Sequence, residues 1–332
     1  MNLFFPTALY SESSTNSVLL LEPGEIPTTF FYALPRISEQ LKQKTHRYNS
    51  IASPPDSLAL AQGTWVIIVR HASRSWLQAL QHHVGSINKV TYLQDDDIPA
   101  VFKAHELPFF YRLRTWWRYY TTRSLLAKVV SEIALSTEEL AARYSDVPST
   151  LWEPLYPYKK KRPVNHMEIS ELTYFYHGTI THRHEIKWLL PIIQKVQEEF
   201  PHACFELMGD ISMKNIFQKI PRVRILPAMK WPNYYAYLVS VKYAVGLAPL
   251  LDTPFNRARS HTKLYQITCA GAAGIFSDIP PYSKKIIHGS TGILSQNDPD
   301  LWIETIINLL QNKNQRETIC SNASAAIIAA QK

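Results

Sequence analysis

The chain has 332 residues, 46% of them hydrophobic and 19% charged, with a formal net charge of +8. That is the composition of a folded chain long enough for two domains, and it excludes a disordered or low-complexity protein. The positive balance either keeps the chain soluble or answers a polyanionic neighbour: a phosphorylated substrate, an anionic membrane surface or nucleic acid.

Three cysteines (Cys204, Cys269 and Cys320) stand far apart with no CxxC spacing. This argues against a disulfide framework or a zinc site and for a reducing compartment. No apolar run approaches the roughly 20 residues that span a bilayer. The N-terminus lacks the basic region and long apolar core of a signal peptide. A cytoplasmic protein is expected.

In the first half, residues 18–21 form a candidate strand and WVIIVR (65–70) a stronger one. Residues 73–82 follow as an amphipathic helix with Trp76, Leu77 and Leu80 on one face. The strand KVTYLQ (89–94) runs directly into Asp95, Asp96 and Asp97. A long helical region leads to a short strand at 132–135. Ser136 is then expected to cap a helix, with Glu139 completing a capping box. Residues 151–165 (LWEPLYPYKKKRPVN) break the pattern with three prolines and four consecutive cations at 159–162, and read as an interdomain linker.

The second half is more regular. LTYFYH (172–177) is a strand ending at Gly178, and residues 182–200 make a long amphipathic helix. A strand at 203–208 ends at Gly209, a short one covers 223–226, and 231–240 is helical. The apolar run 243–248 precedes a basic loop with Arg257, Arg259 and Lys263. A helix beginning near Ser260 then carries Lys263 and Gln266, before a Gly-rich turn at 270–274 and an apolar strand at 275–276. Helices at 298–311 and 314–330 close the chain. Strands alternating with helices in both halves predict an α/β protein of two Rossmann-like, doubly wound domains, 1–156 and 157–332, facing across a cleft.

Several residues in this frame can carry chemistry. Gly178 allows close backbone approach, Thr179 and Thr181 offer hydroxyls, and Arg183 adds charge at a helix start whose free N–H groups suit a phosphate. An ordinary strand–helix turn with a threonine cap would look the same. Arg259 and Lys263, four apart, would clamp a pyrophosphate from one side. A cation in a first helical turn opposes the helix dipole by about 0.3–1 kcal/mol, which an anionic ligand would offset. A solvated basic loop is the plain alternative. Asp95, Asp96 and Asp97 repel one another, which points to a cation, an acceptor rich in hydroxyls or a raised pKa; an Asp-rich turn before Pro99 is the bland reading. Arg70 and His71 end a strand at the same sheet edge, with His71 a candidate acceptor-binding residue or base. Residues 109–128 (FFYRLRTWWRYYTTRSLLAK) interleave five cations with seven aromatics and contain no acid. That suits an anionic membrane interface, or single-stranded nucleic acid, or a helix with aromatics in the core and arginines in water.

The runs GTITHRHEIKWLLP, APLLDTPFNRARSHTKLYQITCAGAAGIFSDIPPYS and IIHGSTGILSQNDPDLW resemble the C-terminal half of bacterial glycosyltransferases with the GT-B fold. The likeness is to the large retaining group called family 4, or glycosyl transferases group 1. It covers residues 173–302. Before residue 151 it is confined to the aspartate run and STEELAARY. The resemblance implies a nucleotide-sugar donor in the second domain and a glycan or lipid-linked glycan acceptor in the first. The diphosphate would lie near Arg259, Ser260 and Lys263, and the base and ribose near Gly209 and Asp210 and near residues 227–229. The acceptor would meet Arg70, His71 and the three aspartates. No metal or other cofactor is implied, and no nucleic-acid partner. In this pattern a glutamate follows the lysine to bond the donor's hydroxyls, and this chain has Gln266 there; Asp252 would take part of the missing role. A peripheral position at the inner membrane follows for lipid-linked acceptors. The other readings are an inactive sugar-nucleotide or glycan-binding module and a basic nucleic-acid-associated protein.

Overall fold

The structure is a computed structural model that describes residues 3–8, 10, 14–56, 60–156, 167–168, 172–178, 180–209 and 215–330. It divides into two compact units. The first takes in Met1–Ala104, Phe110–Pro157 and Ala258–Ser260; the second takes in His105–Phe109, Tyr158–Arg257 and His261–Lys332.

The first unit contains strands β1 (Ser17–Glu22), β2 (Thr45–Asn49), β3 (Thr64–Val69), β4 (Ile87–Gln94), β5 (Glu132–Leu135) and β6 (Thr150–Leu151), with helices α1 (Arg74–His82), α2 (Phe109–Val129) and α3 (Glu138–Arg143). All pairings are parallel, in the order β2-β1-β3-β4-β5-β6. The central strands are continuous apolar runs because both faces of a parallel sheet are covered, and every residue of β3 is buried. Edge strand β2 (THRYN) is polar and half-exposed, which is why its sequence gives no strand pattern.

Two expectations need correction here. The cap of α3 is Thr137, whose Oγ1 accepts from the Leu140 amide at 3.1 Å. Ser136 instead extends the sheet edge, its amide donating to Gln94 and its hydroxyl to the Asp95 carbonyl oxygen. The capping box is thereby out of register, and Glu139 pairs with Arg143. The interdomain linker does not begin at 151. Leu151 belongs to β6, and Trp152 is buried edge-on to Trp65 beneath the Arg36 guanidinium. The basic run 159–162 lies outside the described residues.

The second unit contains β7 (Thr173–His177), α4 (Arg183–Glu199), β8 (Cys204–Gly209), β9 (Val223–Pro227), α5 (Trp231–Ser240), β10 (Val245–Ala248), α6 (Thr262–Cys269), β11 (Ala273–Ser277), β12 (Ile293–Ser295), α7 (Pro299–Gln311) and α8 (Lys313–Ala329). Its sheet is also parallel, in the order β9-β8-β7-β10-β11-β12. This is the doubly wound order in which the chain starts at the centre and reverses direction, so the switch point lies between β7 and β10. Helix α6 lies close on the sheet because β10 carries Gly246: a Cβ there would come 2.7 Å from the Ile267 side chain. The approach matters because it places the first turn of α6 at the carboxyl edge of β7 and β10. None of the three cysteines forms a disulfide. Among the described residues, no helix is long and apolar enough to cross a membrane, and no cluster of His, Cys, Asp and Glu could hold a metal ion.

Candidate functional site

In an open α/β sheet a ligand sits outside the carboxyl ends of the strands, where the strand order reverses. In the second unit Lys263 lies at that place. Lys263, the second residue of α6, donates from Nζ to the backbone carbonyl oxygen of His177, the last residue of β7. It also donates to Gln266 Oε1 at 3.3 Å and lies 5.4 Å from the centre of the Tyr176 ring. No acid stands in the first turn of α6, and its cap residue His261 makes no side-chain cap. A helix start with a lysine and no carboxylate can accommodate an anion.

Beneath this edge lies a buried polar network. His177 and Glu206 are both fully buried, with Nε2 and Oε1 3.2 Å apart. Glu206 also accepts from the hydroxyls of Tyr237, at 3.0 Å, and Tyr243, and pairs with Arg224. Burial pushes the Glu206 carboxyl up, but the bonds from His177 and Tyr243 hold it below its usual range. It is therefore ionised. Burial also keeps His177 neutral, with a lowered pKa. An ionised carboxylate only accepts, so the single N–H of the imidazole faces Glu206 and Nδ1 accepts from Tyr234 at 3.3 Å. The network fixes His177, and its carbonyl in turn holds Lys263.

The other donor-side residues fall as follows. A Cβ at Gly178 would come 2.8 Å from the Tyr176 ring, so the glycine is needed by the chain's own packing at the end of β7. Thr181 lies in a 3-10 turn before α4, and Arg183 is the exposed first residue of α4. Gly209 ends β8, and Gln266 is buried with its carbonyl on Lys263. Thr179 and Asp210 lie outside the described residues. Asp252 is half-exposed and held by Arg257 through two bonds of 2.5 and 2.7 Å. The hydrogen bonds from Arg257 keep its carboxyl below the usual range. Arg259 and Lys263 do not share a helix, because α6 begins only at Thr262. Residues Ala258–Ser260 group with the first unit, where Arg259 Nε faces Asp96 at 3.4 Å.

In the first unit, the carboxyl ends of β3 and β4 bring Arg70, His71 and the aspartates together. Arg70 forks onto Asp95 with bonds of 2.5 and 2.6 Å and reaches Asp96 at 3.0 Å. Asp97 accepts from Arg143 at 2.9 Å and from the Tyr144 hydroxyl. The mutual repulsion read from three adjacent carboxylates is thus answered by the chain's own cations. Arg70 has φ 60°, a conformation that costs a non-glycine residue of order 1–3 kcal/mol and often marks a ligand site.

His71 is buried, and burial with the nearby Arg70 and Arg118 pushes its pKa down to about 3. Such a neutral imidazole is a weak base, which favours contact with an acceptor over proton abstraction. The shift has a sign in stability. The unfolded chain takes up the proton first as pH falls, so the stability tied to neutral His71 is complete above its ordinary value of 6.5 and drains away toward 3. At about 1.4 kcal/mol per pH unit, acidification from pH 6.5 to 5 is expected to remove about 2 kcal/mol through this residue. Urea unfolding at the two pH values tests this, and a His71→Gln variant should lose correspondingly less.

The sequence did not single out His177, Glu206, Tyr234 or Tyr243. The available signal was a glutamate between Phe205 and Leu207 inside an otherwise apolar interior strand.

The fold is that of GT-B glycosyltransferases. Sucrose-phosphate synthase from Thermosynechococcus elongatus superimposes with a TM-score of 0.59 at 11% identity, over 95% of this chain and 94% of that one. HepE from Anabaena, solved in complex with UDP, gives 0.55 at 11%, over 95% and 97%. A variant of TarM from S. aureus, in complex with fondaparinux, α-GlcNAc-glycerol and UDP, gives 0.57 at 10% identity. That match covers 83% of this chain, which spans only 54% of the TarM chain. No protein-family model matches the sequence, and no curated protein sequence does.

Proposed function

We propose that this protein is a glycosyltransferase that moves a sugar from a nucleotide-sugar donor to a hydroxyl of a bacterial surface glycan such as lipopolysaccharide or capsule. The observation that carries the reading is Lys263, anchored on the end of β7 at the switch point of the second unit. The UDP bound in complexes of HepE and TarM supports a nucleotide as the ligand class.

The second unit is the donor side. A diphosphate there takes the place of Gln266 on Lys263, and the ammonium stabilises the charge that grows on the leaving phosphate. In the retaining course, the bond between the anomeric carbon and the phosphate oxygen breaks. The acceptor oxygen bonds to the same carbon, and its proton passes to the leaving phosphate. This course asks for no protein base, which suits the weak basicity of His71. Gln266 and the ionised Asp252 serve the donor's hydroxyls by hydrogen bonding, and Arg183 adds charge at the α4 start. The first unit takes the acceptor through the edge formed by Arg70, His71 and the aspartates. The protein needs no metal and works in the cytoplasm, at the periphery of the inner membrane.

Full-length protein incubated with UDP-, GDP-, dTDP-, ADP- and CMP-sugars tests this. The expected result is nucleotide release from at least one donor. Binding without release would favour a non-catalytic module, a reading that Gln266 in place of a carboxylate supports. Absence of binding across the panel would end the donor reading.

A further inference from the structure

Helix α2 has two apolar faces. Thr115, Tyr119, Leu126 and Val129 are buried, the last three in the core of the first unit. On the opposite side, Phe110, Leu113, Trp117 and Tyr120 are 80, 38, 57 and 44% exposed. Their spacing of three, four and three residues keeps them on one stripe, roughly 15 Å long at 1.5 Å per residue. Soluble proteins rarely leave so continuous a run of large apolar side chains in water without using it. The stripe is also braced. Trp116 stacks on Tyr120 at 5.1 Å and 19°, Phe102 packs on Trp116, and Arg123 lies over the Tyr120 ring at 4.7 Å.

The charge carried by the helix itself is of one sign. Arg112, Arg114, Arg118, Arg123 and Lys128 lie within residues 109–128, and no Asp or Glu does. A second copy of the same face would be repelled. Single-stranded nucleic acid would use the rings as stacking platforms, but Leu113, inside the stripe, has no π-face. An apolar stripe flanked by arginines and carrying tryptophan and tyrosine matches the boundary between acyl chains and anionic headgroups.

We infer that the exposed face of α2 docks on the surface of a bilayer containing anionic phospholipid, with Phe110, Leu113, Trp117 and Tyr120 inserted below the headgroups and the arginines on the phosphates. The inference names the surface for the membrane-peripheral part of the reading above. It does not depend on Lys263 or on any nucleotide.

The test is co-sedimentation of the full chain with phosphatidylcholine vesicles with and without about one-third phosphatidylglycerol, at two salt concentrations. Binding should need the anionic lipid, weaken with salt, and shift tryptophan emission to the blue. A Phe110→Ala/Trp117→Ala double variant should bind at least tenfold more weakly. Because both positions are exposed, circular dichroism should show it folded. Arg114→Glu should remove the lipid selectivity. Donor turnover is measured on the same samples, so failure of the parent chain to bind anionic vesicles while it turns over donor would overturn this surface alone. Equal binding to neutral vesicles, an unchanged double variant, or tighter binding to a single-stranded oligonucleotide at equal salt would each overturn it.

Discussion

Lys263→Ala is expected to lower kcat/KM for the nucleotide-sugar donor by 10²–10³-fold while leaving the protein folded. The loss corresponds to about 2.7–4 kcal/mol, typical for removing one preorganised group that meets developing charge. Lys263 is well placed to have such an effect because it stands at a helix start without acids and is anchored on His177 by a backbone oxygen. A fixed ammonium needs no reorganisation when charge builds on the phosphate. The side chain is part-buried at the sheet edge, so its removal leaves no buried carboxylate behind. Stability measured by urea unfolding should change little compared with activity. Equal losses in both would instead mean that the lysine serves the fold alone.

The largest effect on stability is expected from Glu206→Ala, about 3–5 kcal/mol, because each buried donor left unsatisfied costs about 1–3 kcal/mol and more than one is stranded. The carboxylate accepts from His177, Tyr237 and Tyr243 and faces Arg224. Alanine strands those buried donors and opens a void beside the central strand. With total stabilities of about 5–15 kcal/mol in ordinary domains, such a variant would unfold in mild urea. Glu206→Gln keeps the volume but offers one of the donors an N–H, so it should fall between alanine and the parent. A Tyr243→Phe variant alone should cost less, because Glu206 keeps its remaining partners. Urea midpoints of the three variants, measured together, check this order.

Much of the second unit was legible because parallel strands buried on both faces write themselves as apolar runs. The runs 172–177 and 243–248 ended where β7 and β10 end, whereas 275–276 fell short of β11, whose Ala273 and Gly274 had read as part of a turn. The position of Lys263 followed from that frame: a helix after a strand starts at the carboxyl edge. Polar partners that depend on tertiary contact were not legible. Arg259 looked like a companion to Lys263 because four residues make one helical turn, yet the helix starts later and Asp96 claims the guanidinium. The aspartate run showed its charge but not its neutralisation, since Arg70 and Arg143 lie 25 and 46 residues away in sequence. Short edge elements such as β2 and β6 left too few apolar positions for a period to show. The cap of α3 slipped by one residue because Ser136 and Thr137 are equivalent as letters and differ only in what the sheet edge demands of the first.

A crystal structure of the full chain with the nucleotide that the donor panel selects tests the central claim most directly. The phosphates are expected within hydrogen-bond distance of Lys263 Nζ, beyond the ends of β7 and β10, with Gln266 displaced from its present bond. A nucleotide bound away from that edge, with Lys263 still on Gln266, would contradict it.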